Sequence, residues 1–323
     1  MDYFIEGKAH GPVAHRLLAN GMNVNALRTN DTLLYDEWKQ IDNAVVKAAL
    51  RRAVGVADLQ AAGLTYGGFN GMAKTVLGYQ DASDISDANM NMDGVTEGDR
   101  DRMEFDIHYL PLPIIHKDFS FSIREINESR NGSMPLDTSM AEMAATKVIE
   151  KVESIIFAGA SSYKFGGGTL YGLSDYTNVN SVSLSTNWDA SAKTGADIVD
   201  DVRSMKQASI NDRFFGPWNL YVPTAYETVL DDDYASGYPK TIRQRILEID
   251  GIQSVKVSDF LAANTVILVQ MTPDVIRLVE GLPITTVQWD TEGGMKVRFK
   301  VMAIMVPQIR AAQDGKCGVV KLA

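Results

Sequence analysis

Cysteine is nearly absent from this chain: Cys317 is the only one in 323 residues. A lone thiol excludes an internal disulfide and any multi-cysteine zinc site, and it fits a reducing compartment. Histidine is scarce too. His10 and His15 stand five apart and His108 and His116 eight apart, and neither spacing is that of a zinc-binding helix. No apolar run approaches the ~18 residues that a membrane-crossing helix needs. The opening Met1-Asp2-Tyr3-Phe4-Ile5-Glu6 lacks the basic and then apolar order of a secretory signal. Positive charge is short as well, with 31 Lys and Arg against 41 Asp and Glu, a net charge of −10. That balance argues against a protein built around nucleic-acid binding, while leaving room for a local basic face.

What remains is the composition of an ordinary folded protein, 45 % apolar and 22 % charged, long enough for one large domain or two smaller ones. Residues 1–35 show no sustained period and are broken at His10-Gly11-Pro12 and Asn20-Gly21, which reads as an arm needing a partner surface. Tyr35 to Arg52 predicts a helix, with Trp38, Ile41, Val45, Ala48 and Ala49 on one face. Gly55, Gly63, Gly67, Gly68 and Gly71 then interrupt the chain.

Lys74 to Tyr79 reads as a strand, followed by an acidic excursion from Asp81 to Asp101. Strands return at Glu104–Tyr109 and His116–Ile123, the second with Phe119, Phe121 and Ile123 on one face. Pro111 and Pro113 between them require an edge or a break. The sum is a long two-stranded projection with no core of its own, which must lie on this body or on a neighbour.

Ser139 to Ala158 predicts the longest helix. Ser139 and Glu142 have capping-box spacing, and Met140, Met143, Ala144, Val148, Val152, Ile155 and Ile156 make an apolar stripe. Gly159 sits at the stop. Residues 160–192 are turn-rich. Helices are expected at Thr194–Ser209, Thr224–Asp232 and Pro239–Glu248, and strands at Trp218–Val222, Thr265–Met271 and Met295–Val306. The last carries Val297, Phe299, Val301, Ala303 and Met305 on one face and Lys296, Arg298 and Lys300 on the other. Without regular βαβ spacing, the class is α+β.

Sites for chemistry find little support. Asn89, Asn91, Asp93, Gly94 and Glu97 follow a calcium loop loosely, but Arg100 stands where the bidentate Glu belongs, so a solvated loop tip is the reading. Gly166-Gly167-Gly168 lacks the Lys-Ser or Lys-Thr of a phosphate loop and follows a predicted helix, which favours a plain turn. Cys317 reads as a packing residue. Asp231-Asp232-Asp233 reads as an exposed helix-end loop, and the Lys296, Arg298, Lys300 face as a solvated face or protected edge, with an inter-subunit or nucleic-acid contact as the sharper option. No catalytic, cofactor-binding or metal residue is expected, and no cofactor.

One stretch carries a resemblance. Phe119-Ser120-Phe121-Ser122-Ile123-Arg124-Glu125-Ile126 is followed by Gly132, Pro135-Leu136-Asp137-Thr138, Ala144-Ala145, Val148 and Glu153. Ile156-Phe157-Ala158-Gly159 and Gly168-Thr169-Leu170-Tyr171-Gly172-Leu173 complete it. This resembles the long-helix region of encapsulins and tailed-phage major capsid proteins, the Hong Kong 97-type fold. Trp38-Lys39-Gln40-Ile41-Asp42 is similar to the early helix of those shells, and Asp274–Leu278 through the Met295–Val306 strand to their C-terminal part.

The resemblance implies an α+β Hong Kong 97-like capsid fold. Its parts are an N-terminal arm (1–36), an extended two-stranded loop (67–118), a peripheral domain (37–66, 119–190 and 280–323, with the spine helix at about 139–158) and an axial domain (191–279). It implies a non-enzymatic major capsid protein, self-assembling into hexamers and pentamers of an icosahedral phage head in the virion, with an encapsulin-like nanocompartment as the alternative. Implied partners are further copies of the chain, a portal, scaffold or decoration proteins, and packaged DNA held by enclosure, with no membrane. Lys74 and Lys117 flank the extended loop with amines suited to an isopeptide bond, which nothing in the sequence requires.

Overall fold

The computed structural model describes residues 3–5, 8–10, 39–41, 43–45, 53–82, 90, 92, 105–131, 138–235, 237, 239–312 and 314–323. Most of the expected arm lies outside these, apart from strands β1 (Tyr3–Ile5) and β2 (Lys8–His10), which pair antiparallel. Trp38, Ala48 and Ala49 also lie outside them. So do all of the calcium-like stretch except Met90 and Met92, and Gly132 and Pro135–Asp137 of the resemblance. Residues 39–41 and 43–45 are helical, and Ile41 and Val45 are buried as the period predicts. The described chain divides into two compact units.

The first unit holds residues 1–75, 111–157 and 277–307. Helix α1 (Val54–Ala61) runs through Gly55, an element hidden in the sequence by its glycine neighbours. Two short elements follow the expected projection: strand β6 (Ile115–Ser122) and helix α2 (Ile123–Asn131). Helix α2 has almost no apolar stripe and was not expected, although Ser122 and Glu125 cap one another's amides at 3.2 and 2.7 Å. That Ser-x-x-Glu spacing was a readable signal.

Helix α3 (Ser139–Phe157) is the long element foreseen, built of Ala, Met, Lys and Glu with no interior Gly or Pro. The Glu142 amide bonds the Thr138 carbonyl at 3.0 Å, so Thr138 takes the cap position, one residue before the Ser139 expected there. The stripe is corrected at its start. Met140 and Met143 are 43 % and 66 % exposed, and the first turns bury Ala141 and Ala145 alongside the expected Ala144. Small side chains let that end approach its neighbours closely, which leaves the longer methionines on the outer side.

The first unit's sheet has the order β3-β13-β14-β6, with β3 at Thr65–Tyr66, β13 at Ile276–Thr291 and β14 at Lys296–Ile309. Strand β14 pairs β6 antiparallel, placing Phe299 opposite Phe119, whose rings stack at 5.0 Å. Val297, Phe299, Val301 and Ala303 are fully buried, as the alternation requires. Strand β13 was missed because Gly281 and Pro283 interrupt its apolar pattern. Strand β3 pairs only Leu278 and Val279, so Pro283 lies beyond it, where a missing amide costs no ladder bond on that side.

Gly281 has a packing reason. Its carbonyl accepts from the Gly71 amide at 3.1 Å, and a Cβ on Gly71 would stand 2.7 Å from the Gly281 backbone. Gly71→Ala is therefore expected to cost about 2–3 kcal/mol through overpacking against backbone that cannot yield. Thermal unfolding of the unassembled subunit checks it, and an unchanged midpoint would contradict the close approach.

The second unit holds residues 76–110, 158–276 and 308–323. Strands β4 (Val76–Ala82) and β5 (Phe105–Pro111) form a two-stranded sheet, the expected projection with boundaries shifted by one to three residues. Its acidic tip, apart from Met90 and Met92, is outside the described residues. A second hairpin, β7 (Ala160–Phe165) and β8 (Gly168–Leu170), turns at Gly166 and Gly167, both at positive φ. The glycine run is thus a turn, but it follows a strand where a helix was expected. Gly159, at φ +81°, must lack a side chain: a Cβ there would meet the Asp175 carboxylate at 2.0 Å.

The main sheet of this unit has the order β11-β10-β12-β15-β9. Its members are β9 (Asn180–Val182), β10 (Trp218–Pro223), β11 (Ile252–Ser258), β12 (Val266–Gln270) and β15 (Val319–Leu322). Strands β9, β11 and β15 are additions to the expected set. Helices α4 (Gly195–Asn211), α5 (Glu227–Asp231) and α6 (Ile242–Leu247) match the three helical patterns, α4 and α6 behind Thr194 and Thr241 capping boxes. The core of the sheet and these helices includes Val202, Leu220, Ile246 and Leu268. Asp201 fastens it by accepting from Trp188 Nε1 at 2.8 Å and pairing the buried Lys193 at 2.7 Å.

Candidate assembly surface

In the β4–β5 hairpin, alternation sorts the side chains into two faces. Leu77, Tyr79, Asp81, His108 and Leu110 share one, and Leu77, Asp81 and Leu110 are buried there. The opposite face carries Phe105, Ile107 and Tyr109, which are 58 %, 56 % and 47 % exposed. Tyr109 lies along Gly78, whose Cβ would stand 3.8 Å from its ring. The usual order is inverted. The ion-bearing face is covered at Leu77, Asp81 and Leu110 while Asp106 and His108 stay exposed, and the aromatic and aliphatic side chains of the other face are left to water. The β7–β8 hairpin presents a second apolar pair, Tyr163 and Phe165, also exposed. Sequence reasoning anticipated an unsupported ribbon but did not assign its faces, because neither strand alternates cleanly.

Of the two readings of the basic face of β14, a solvated face fits, with Arg298 exposed and Lys296 and Lys300 half-buried, and an edge does not. Strand β14 lies inside its sheet, between β13 and β6. Arg298 stands 3.6 Å from Glu292 and Lys300 3.7 Å from Asp118, with the Lys300 ammonium over the Trp289 ring at 5.5 Å. Local carboxylates therefore offset much of this charge. Asp231, Asp232 and Asp233 are exposed at the end of α5, as read, with Arg243 on Asp231 at 3.2 Å.

The remaining candidates take structural roles. Cys317 is fully buried with its sulfur 3.6 Å from the Arg310 carbonyl, and burial pushes its thiol up to about 12, far from a reactive thiolate. His108 stands 3.3 Å from Asp81 and His116 3.4 Å from Asp118. Lys74 lies over the Phe69 ring at 5.6 Å, and Lys117 is exposed on β6. Among the described residues no group of three His, Cys, Asp or Glu is placed to hold a metal ion. No described helix is long and apolar enough to cross a membrane.

A family model described as a family of unknown function (DUF6260) matches residues 25–322. The chain belongs to that family. Among solved structures, the virus-like particle of Pyrococcus furiosus superposes with a TM-score of 0.65 at 19 % identity, covering 88 % of this chain and 99 % of that one. The capsid of Myoviridae phage XM1 gives 0.61 at 9 % identity, covering 77 % and 85 %. The type 1 encapsulin shell protein EncA of Myxococcus xanthus (strain DK1622) is 29 % identical over 134 residues, 41 % of this chain. That match spans 44 % of the relative, less than half its length. This DUF6260 member thus has the α+β fold of Hong Kong 97-type capsid and encapsulin shell proteins. Its structural neighbours are structural shell proteins.

Proposed function

We propose that this chain is a major capsid protein whose copies assemble as hexamers and pentamers into an icosahedral phage head around double-stranded DNA. The observation that carries the reading is the inverted hairpin. Phe105, Ile107 and Tyr109 face water in the isolated subunit, and in a closed shell every copy offers the same face to the same neighbour. Many such modest contacts, repeated by symmetry, hold a container closed without any one being strong. The proposed parts are an arm (1–36), a clamping loop (67–118), a peripheral domain (37–66, 119–190, 280–323) and an axial domain (191–279) around the symmetry axis. A portal and scaffold or decoration proteins complete the particle, assembled in the host cytoplasm. The net charge of −10 suits DNA held by enclosure rather than by a binding groove.

A second reading, an encapsulin-like compartment around a protein cargo, draws on the likeness to EncA and to the Pyrococcus particle. Electron microscopy and light scattering of the purified protein, followed by analysis of particle contents, test both. Closed particles with nuclease-protected DNA are expected. One co-purifying protein species inside the particles would select the compartment, and a discrete 35.4 kDa species without particles would overturn both.

A further inference from the structure

We infer that Asp81, Arg310 and His108 form a latch that fixes the direction of the β4–β5 hairpin, so that its apolar face is presented to a neighbouring copy. The inference rests on the shell reading above. Arg310 follows β14, and its amide donates to the Val275 carbonyl at 2.9 Å, which anchors its backbone in the second unit. Its Nη2 donates to the Gln80 carbonyl at 3.1 Å and stands 3.5 Å from Asp81 Oδ1. The other oxygen of Asp81 is 3.3 Å from His108 Nε2 across the ladder. One carboxylate thereby joins both strands of the hairpin to one guanidinium.

The surroundings make this junction costly to break. The Asp81 side chain is 11 % exposed, so removing a partner leaves a largely desolvated charge. Tyr79 lies on the same face with its ring 5.5 Å from that of His108, and its phenol is pushed up to about 12, by burial first and then by Asp81. The Tyr176 phenol is raised too, by burial and then by Tyr79, Cys317 and Asp81. Apolar contact alone would let a two-stranded ribbon slide or roll. A guanidinium that bridges a carboxylate and a backbone carbonyl has a preferred orientation, so it sets an angle. A hairpin held at its angle before docking loses less freedom when a neighbour closes on it.

Asp81→Asn, Arg310→Gln and the milder Arg310→Lys test the latch by amide hydrogen exchange on the unassembled subunit, with particle size read in parallel. Exchange in strands β4 and β5 is expected to rise about tenfold in the first two variants, as for loss of a charge-assisted bond, and less in Arg310→Lys. Exchange in the five-stranded sheet should stay unchanged, and the particles should become mixed in size. Unaltered exchange in β4 and β5 overturns the latch. So does an equal rise across the five-stranded sheet, which would assign the cluster to general stability. A parent that never assembles, yet shows the selective rise on substitution, sinks the shell reading and leaves the latch standing. A parent that assembles with variants that exchange like it does the reverse.

Discussion

Replacing Phe105 and Ile107 together by aspartate should abolish particle formation while the subunit stays folded. Both side chains are more than half exposed in the isolated chain, so the fold loses little. In a shell the two positions would be buried against a neighbour. There the exchange removes apolar burial and introduces two unpaired carboxylates, about 2–4 kcal/mol per contact. Because the contact recurs at every copy, the concentration needed for assembly should rise at least about 100-fold, the equivalent of a single 2.7 kcal/mol step. Sedimentation velocity across a concentration series measures this, and circular dichroism confirms the fold. Particles forming at the parent's concentration would show that this face is not the assembly surface. Tyr109 is left in place because it also lies along Gly78 and near Gly167, at the base of the hairpin.

The elements legible in the sequence were those whose pattern a single chain can express. The long helix over Ser139–Phe157, the stop at Gly159, and the alternation along Lys296–Ile309 are each fixed by local spacing and burial on one face. What escaped was set by partners distant in sequence. Strand β13 tolerates Gly281 because Gly71 approaches it, a contact no window around 281 reveals. Helix α1 survives Gly55 because a side chain 98 residues away supports its first turn. Met140 and Met143 face water because the buried side of α3 runs through Ala141, Ala145, Val148 and Val152, and a run of mixed Ala and Met does not say on which side of the first turns the neighbours lie. The same limit applied to the assembly surface. The ribbon's need for support was readable from its lack of a core, but which face it turns outward depends on Arg310 reaching Asp81 from the far end of the chain.

Glu153 is the side chain that supports helix α1, and its substitution should change how stability depends on pH. It sits amid the buried stripe of α3, 1 % exposed, and its carboxylate accepts from the Gly55 amide at 2.9 Å and the Val56 amide at 2.8 Å. Ala53, at the cap of α1, has no side chain for that purpose, so the long helix supplies the cap from outside. Gly55 makes room, since a Cβ there would stand 3.0 Å from the Phe157 ring and 3.2 Å from Glu153 Oε2. Two effects compete at the carboxyl. The amides favour the charged form, while burial and nearby Asp58 oppose it; burial is the largest, and the acid is pushed up from 4.5 to about 7.

A folded-state value raised above the unfolded one means that the folded chain holds the proton more tightly. The corresponding stability is fully present below about pH 4.5 and is lost as pH rises through about 7, a swing of about 3 kcal/mol. Glu153→Gln removes the titration and keeps the shape, so its stability relative to the parent should improve by about that amount between pH 4.5 and 8. Chemical denaturation of the unassembled subunit at several pH values measures the difference, and parallel profiles would show that burial does not dominate. Glu153→Ala is expected to be the more damaging change at every pH, about 2–5 kcal/mol, because both amides of α1 are then left buried without an acceptor. The two variants separate the charge from the cap: the glutamine still offers one oxygen to the helix, and the alanine offers none.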